Sequence, residues 1–347
     1  MQRGQGMRRW AKVSVSAAVV LGVGGWIATP YAQDWWLLRT ACDGALPVDA
    51  VRELGRDGDH FKDASSATHE GLGDYGCSVG FDGDDVRDDR LLETEAYTRR
   101  DDVDREFMTV LSESGFDRVG PMADGLPGYV DKYGALQFLL PCPELGKDDE
   151  GRQRKLLVRT WLGRDALRGT PAAYETAVAL TNSASDRLGC GAEPLKAPGG
   201  DAAPTDPQED PRTVPLADAG DTACGWALKA GGLKTSQWRV AVLMNDAGPV
   251  GRCDLYARDA DSGEWEPRLW FAAWYGDWSN RLLAEQRRRE PDARTATARC
   301  DGEAANFALS ADKSVPGVGE SGKRKLLAAF AEAQVGQRGC TELSLGD

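Results

Sequence analysis

The residues with the most chemistry to offer are eight cysteines, Cys42, Cys77, Cys142, Cys190, Cys224, Cys253, Cys300 and Cys340, in a chain of 347 residues. None stands in a Cys-x-x-Cys pair, which removes both the ligand spacing of a zinc ribbon and the dithiol of a thioredoxin-like exchanger. An even number of widely spaced cysteines instead closes structural disulfides in an oxidising compartment. The first and fifth follow the same dipeptide, in Thr40-Ala41-Cys42 and Thr222-Ala223-Cys224, and the fourth and eighth close on Gly189-Cys190 and Gly339-Cys340. The chain therefore reads as two copies of one four-cysteine frame. Eight cysteines allow about a hundred pairings, and confinement to each half leaves three apiece. The expected set joins first with second and third with fourth: Cys42–Cys77, Cys142–Cys190, Cys224–Cys253 and Cys300–Cys340.

Other reactive residues are sparse. Gly317-Val318-Gly319-Glu320-Ser321-Gly322-Lys323 has the outline of a phosphate-binding loop, but Arg324 stands where Ser or Thr must reach a Mg²⁺, so a glycine loop before a helix is the better reading. Asp82-Gly83-Asp84-Asp85, with Asp88, Asp89 and Glu93, is acidic enough for Ca²⁺, yet Val86 occupies a ligand position of the EF-hand pattern. His60 and His69 are the only histidines; their spacing fits no zinc motif, and no nucleophile–base arrangement includes them. No sequence feature calls for a metal or cofactor. Trp270, Trp274 and Trp278 share one face of a strand whose other face carries Leu269, Phe271, Ala273 and Tyr275. Such a stripe either fills a core or lines a groove for a glycan or peptide.

These residues must be held by ordinary globular domains. Hydrophobic residues make up 41% and charged residues 28% of the chain, and its length suits two domains, each with a core. Charge is distributed unevenly. Arg3, Arg8, Arg9 and Lys12 are the basic residues ahead of position 37, whereas residues 37–347 carry 38 Lys+Arg against 54 Asp+Glu, a balance of −16. An acidic body repels phosphate backbones, which argues against a nucleic-acid partner.

Behind the basic head, Val13 to Thr29 is an apolar run of 17 residues. It lies between a secretory signal core of ~7–15 residues and a spanning helix of ~20. Pro30-Tyr31-Ala32 makes a poor cleavage site, and Trp35 and Trp36 fall where an aromatic belt meets a membrane surface. The expectation is a single-pass anchor with a cytoplasmic amino terminus and an extracytoplasmic body; secretion after signal cleavage is the alternative.

Periodicity sets out the rest. Helices are expected over 46–54, 103–112 and 171–187 in the first half, and over 281–289 and 324–335 in the second. Strands are expected over 77–81, 91–98, 135–140 and 155–162, then 238–244, 253–257, 268–278, 295–300 and 306–310. Arg90-Leu91-Leu92 and Tyr97 match Arg268-Leu269-Trp270 and Tyr275 at an offset of 178. Arg154-Lys155-Leu156-Leu157 has a looser echo in Lys323-Arg324-Lys325-Leu326-Leu327. The Pro-rich acidic segment 197–221 reads as an unpacked linker. The organisation is thus 1–36 head and anchor, 37–196 first domain, 197–221 linker and 222–347 second domain: a transmembrane helix followed by two tandem homologous α+β domains with mostly antiparallel sheets and two disulfides each.

Basic head, apolar segment, Pro-rich acidic linker and paired cysteines together resemble exported, membrane-anchored actinobacterial proteins of unknown function. The resemblance covers the overall plan and implies no active-site residue. The functional expectation is a non-enzymatic binding or interaction protein of the cell envelope, its partner an envelope protein, peptide or glycan. An envelope hydrolase using carboxylates and a structural subunit of an envelope complex are the alternatives.

Overall fold

The computed structural model describes residues 31–55, 60–81, 90–110, 116, 118–163, 170–245, 248–278 and 294–346, with side chains at 108–110 and 278 excepted. The expected anchor at 13–29, the acidic stretch 82–89 and the expected helix 281–289 lie outside the described residues.

The first half begins with helix α1 (31–40) and α2 (Val48–Leu54). A seven-stranded sheet follows, of β1 (Phe61–His69), β2 (Asp74–Phe81), β3 (Arg90–Tyr97), β4 (Gly120–Pro121), β5 (Gly128–Val130), β6 (Leu136–Pro141) and β7 (Lys155–Leu162). Helix α3 (Arg100–Val110) leaves the end of β3, and α4 (Ala172–Arg187) closes the half. The second half has β8 (Thr213–Pro215), the short α5 (Trp226–Lys229), β9 (Trp238–Leu243), β10 (Val250–Arg258) and β11 (Trp265–Tyr275). It ends with β12 (Arg294–Cys300), β13 (Glu303–Ala311), α6 (Glu320–Arg338) and β14 (Thr341–Leu345). Every described strand pair in both sheets is antiparallel. The mixed α+β class, the two antiparallel sheets and two disulfides in each half are therefore established.

The two sheets share a strand order. Five strands run β1-β2-β3-β7-β6 in the first and β9-β10-β11-β13-β12 in the second. Edge strands differ: β5 and β4 extend the first beyond β6, while β14 and β8 flank the second. The long helices agree in finer detail. Those of α6 bury Lys323, Leu326, Leu327, Phe330, Ala331 and Gln334, the i, i+3, i+4 pattern of one helix face. At an offset of 150, Ala173, Thr176, Ala177, Leu180, Thr181 and Ala184 of α4 are buried too. Both helices stop identically. Gly189 and Gly339 take the left-handed conformation (φ +61° and +63°), which glycine adopts without a Cβ penalty. The amide of the next cysteine then donates back into the last turn, Cys190 to Ser185 and Cys340 to Val335.

That cysteine ties the helix to the sheet. Cys142–Cys190 joins the end of β6 to the end of α4, with Cα atoms 4.3 Å apart, and Cys300–Cys340 joins β12 to α6 at 4.2 Å. Cys42–Cys77 and Cys224–Cys253 pin the opening Thr-Ala-Cys segments to β2 and β10, at 5.3 and 5.8 Å. All four are the expected bridges. In the chain-entropy account each contributes about 3.5–4 kcal/mol by shrinking the unfolded ensemble.

Three expectations change in detail. The strand match at offset 178 is one residue out. Cys77 faces Thr94 and Cys253 faces Phe271, so Thr94 corresponds to Phe271 and the offset is 177. A one-residue slip exchanges the faces of a strand, and the offset of 178 aligned Leu92, which faces α4, with Trp270 on the side away from α6. Lys155-Leu156-Leu157 lies on a strand and Lys323–Leu327 on a helix, so that echo is not structural. Segment 197–221 is packed and not free. Thr205 crosses over Gly120, Gln208 donates to the carbonyl of Lys132, and β8 pairs with β9.

Two outcomes follow. Proteolysis within 197–210 should give two separate fragments on a denaturing gel without reductant, because no bridge crosses the halves; one band that resolves only on reduction would contradict the pairing. Tyr174, buried under the first sheet and accepting a hydrogen bond from the amide of Ala123 (3.0 Å), has its hydroxyl pushed up to about 12 by burial. Its stabilisation is complete below the ordinary tyrosine range and is lost as pH climbs towards 12. Chemical denaturation of Tyr174→Phe should therefore lose about 2–3 kcal/mol less than wild type between neutral and strongly alkaline pH.

Candidate functional site

Each sheet turns one face to its own helix and the other towards the opposite half. The shared side holds a third apolar cluster. Val103 and Phe107 of α3, Val119, Tyr129 and Leu157 meet Val250, Ala272, Trp274 and Ala308. Strand alternation explains the split, since Leu269, Phe271, Ala273 and Tyr275 of β11 pack towards α6 and the residues between them point across. At the corrected offset of 177, Trp274 corresponds to Tyr97, which packs against the same cluster.

Charge borders this apolar contact. Arg100 of α3 pairs with Asp277, the residue at its own equivalent position 177 further on. Lys155 Nζ lies 3.2 Å from Asp277 and 2.5 Å from Glu303. Deeper in, Arg252 holds Asp254 through two contacts, Nη2 to Oδ2 at 2.6 Å and Nε to Oδ1 at 3.2 Å, and reaches the carbonyl of Phe116 in the other half. Burial pushes the Asp254 carboxyl up, against the opposing pull of Arg252. Asn245 adds a hydrogen bond from its Nδ2 to the carbonyl of Met122, at 2.5 Å. The two halves thus share apolar, ionic and hydrogen-bonded contacts, the make-up of a packed interface.

Of the three tryptophans, Trp274 belongs to this arrangement. Trp274 is 2% exposed, and among the described residues its indole N–H has no hydrogen-bond partner. Trp270 is half-buried on the same strand face. Trp278 ends the short turn Gly276–Trp278, its side chain outside the described residues. Trp274 therefore presents nothing to a ligand from solvent; its ring fills the seam between the halves.

Other candidates are dispersed. His60 Nδ1 bonds Asp34 Oδ2 at 2.7 Å, and His69 Nδ1 bonds Asp74 Oδ1 at 2.6 Å across the β1–β2 hairpin. Gly317–Lys323 forms the loop and first turn of α6, with Lys323 buried and its Nζ 3.1 Å from Glu320, so the lysine is turned inward. Glu93 pairs with Arg90. Among the described residues no group of three His, Cys, Asp or Glu is placed to hold a metal ion. Asp131 is fully buried but accepts from the amides of Tyr133 and Ala135 and from Gln137 Nε2, which makes it the clasp of the β5–β6 turn. Glu106 is the carboxyl group that most resembles an acid–base residue: burial raises it, and the neighbouring Glu95 raises it further.

Two concavities lie apart from the seam's core. One of about 280 Å³ opens at its charged edge, lined by Arg99, Arg100, Asp148, Arg154, Lys155 and Asp277 among others. A larger groove, about 810 Å³, runs between the second Thr-Ala-Cys segment and α6, past Asp221, Thr222, Trp226, Lys229, Ala329 and Glu332. Aligned on Thr40 and Thr222, Gly220 stands at the position of Leu38, which is fully buried in the first half. A Cβ added at Gly220 would meet only Leu228. The groove and the buried Arg252–Asp254 pair were not singled out in the sequence, although Arg252-Cys253-Asp254 places two charges inside a central strand, where charges are seldom found unpaired.

The seam gives a direct outcome. Trp274→Ala should lower unfolding stability by about 3–5 kcal/mol, whereas Trp274→Phe, which removes the unpartnered N–H and keeps most of the ring, should cost far less. Equal losses in urea titration would show that the ring does not fill the seam. Comparison with family models, curated proteins and solved structures gives no match, so function is argued from the chain's own residues.

Proposed function

We propose that this chain is a non-enzymatic, membrane-anchored extracytoplasmic binding or interaction protein of the cell envelope, built by tandem duplication of one disulfide-framed domain. The observation that carries it is the closure of all eight cysteines within their own halves. Four bridges of this kind persist in an oxidising compartment, and the basic head before an apolar run supplies the means of export and retention. Shared strand order, matched helix faces and identical helix–Gly–Cys endings support the duplication.

The duplicated frame is scaffold, and the specialised surface lies where the copies differ. The groove beside α6 is such a place, walled by Gly220 where the sequence of the first half carries the buried Leu38. Its mixed lining of Asp221, Lys229, Glu332 and Gln337 over a small-residue floor suits an envelope peptide or glycan rather than a lipid chain. The hydrolase alternative draws on one observation, the raised Glu106 beside Glu95.

Two measurements test this. Membranes from cells expressing the chain should retain it through an alkaline carbonate wash, with its body digested by protease added from outside; a body protected in intact cells contradicts export. Thermal-shift screening against cell-wall glycans and peptides should find a response that Gly220→Trp abolishes without moving the unliganded midpoint. A response lost in Glu106→Gln and kept in Gly220→Trp would favour the hydrolase.

A further inference from the structure

Helix α1 has two unlike sides. Asp34 and Leu38, one turn apart, face the first half: Leu38 is fully buried, and Asp34 accepts hydrogen bonds from the Phe61 amide (2.9 Å) and shares a 2.7 Å contact with His60 Nδ1. Thr40 caps its end, its hydroxyl donating to the carbonyl of Trp36 at 3.0 Å, and Cys42 locks the following turn to β2. The helix is therefore fixed to the body by an apolar contact, a charged hydrogen-bond pair and a disulfide within a few residues.

Away from that side the helix is aromatic and open: Trp36 stands opposite Leu38, Trp35 and Arg39 lie between, and Tyr31, beside Leu38, packs edge-on against His60. Tyr31, Trp35 and Arg39 form one stripe at four-residue spacing, and Ala32, Trp36 and Thr40 form the next. Tyr31 and Trp36 are each 65% exposed and Trp35 is 44% exposed, and the Arg39 guanidinium lies 4.4 Å over the Trp35 ring. Three large aromatic rings on ten residues make an exposed apolar patch of the kind that soluble surfaces avoid. Amphipathic aromatic rings with a cationic neighbour are what the headgroup layer of a bilayer accommodates, the rings among the upper acyl carbons and the charge among phosphates. The occupant is indicated by the chain itself: the apolar run 13–29 ends two residues before Tyr31, with Pro30 between.

We propose that the Trp35–Trp36–Arg39 face of α1 lies in the lipid headgroup layer, so that the first half is held against the bilayer in one orientation and does not swing on a tether. This rests on the membrane-anchor reading above and adds to it a defined membrane-facing surface. Because Asp34, Leu38 and Cys42 fix the helix to the first sheet, the contact orients the body as well as the helix.

The test uses the full chain with Trp10→Phe and Trp26→Phe, reconstituted into vesicles containing brominated phosphatidylcholine and phosphatidylglycerol. Bromine should quench tryptophan emission, and most of that quenching should vanish when Trp35→Phe and Trp36→Phe are added. Both proteins should float with the vesicles, since the apolar run is intact. Flotation with no quenching of Trp35 and Trp36 would overturn the proposal and leave the anchor standing. If acrylamide also failed to reach those rings, a protein partner or second copy would be covering them instead. Failure of either protein to float would overturn the anchor and this proposal with it.

Discussion

Everything in this molecule follows from the problem of burying both faces of a seven-stranded sheet. An antiparallel sheet can leave one face wet, but the strands here are apolar on both sides near their centre, β11 above all. One face is covered by a helix from the same half. The other has only the partner half to bury against, and Trp274, Ala272 and Val250 meet Phe107, Tyr129 and Leu157 there. The seam makes one body of two frames. It also explains why the Pro-rich segment between them touches the body at Thr205, Gln208 and β8: with the halves docked, it has a fixed path to follow.

The disulfides have a different role. Each half uses one bridge to fasten its opening segment to the second strand of the core and one to fasten its final helix to the last of the five shared strands, β6 or β12. These are the ends of each frame, where chains fray first. Cross-links at those points restrain the termini of a unit whose centre is already held by packing. The arrangement leaves the groove beside α6 and the aromatic face of α1 as features outside the shared frame.

Much of this was legible in the sequence, for physical reasons that can be named. Because the frame occurs twice, cysteine order confined the bridges to their own halves and left three pairings in each, of which first with second and third with fourth is the set observed. The helices were legible because Leu326, Leu327, Phe330 and Ala331 keep helical spacing and Gly339 marks the stop. What escaped was what depends on partners. β1 reads Phe-Lys-Asp-Ala-Ser-Ser-Ala-Thr-His, an exposed edge strand without apolar alternation, and it exists because β2 offers it hydrogen bonds. β8 and β14 are similar additions. The register between the copies escaped by one residue because the letter matches of Arg90 with Arg268, Leu91 with Leu269 and Tyr97 with Tyr275 outweighed the alternation of faces. The tryptophan stripe showed where a special surface would lie, but a sequence cannot distinguish a face opened to a ligand from one closed by the other half of the chain.

The central claim is that the halves are one folding unit joined through the Trp274 seam and not two beads on a linker. Scanning calorimetry of the oxidised full chain tests it most directly. The account predicts a single transition whose calorimetric and van't Hoff enthalpies agree. Two separable transitions, each indifferent to Trp274→Ala, would contradict it.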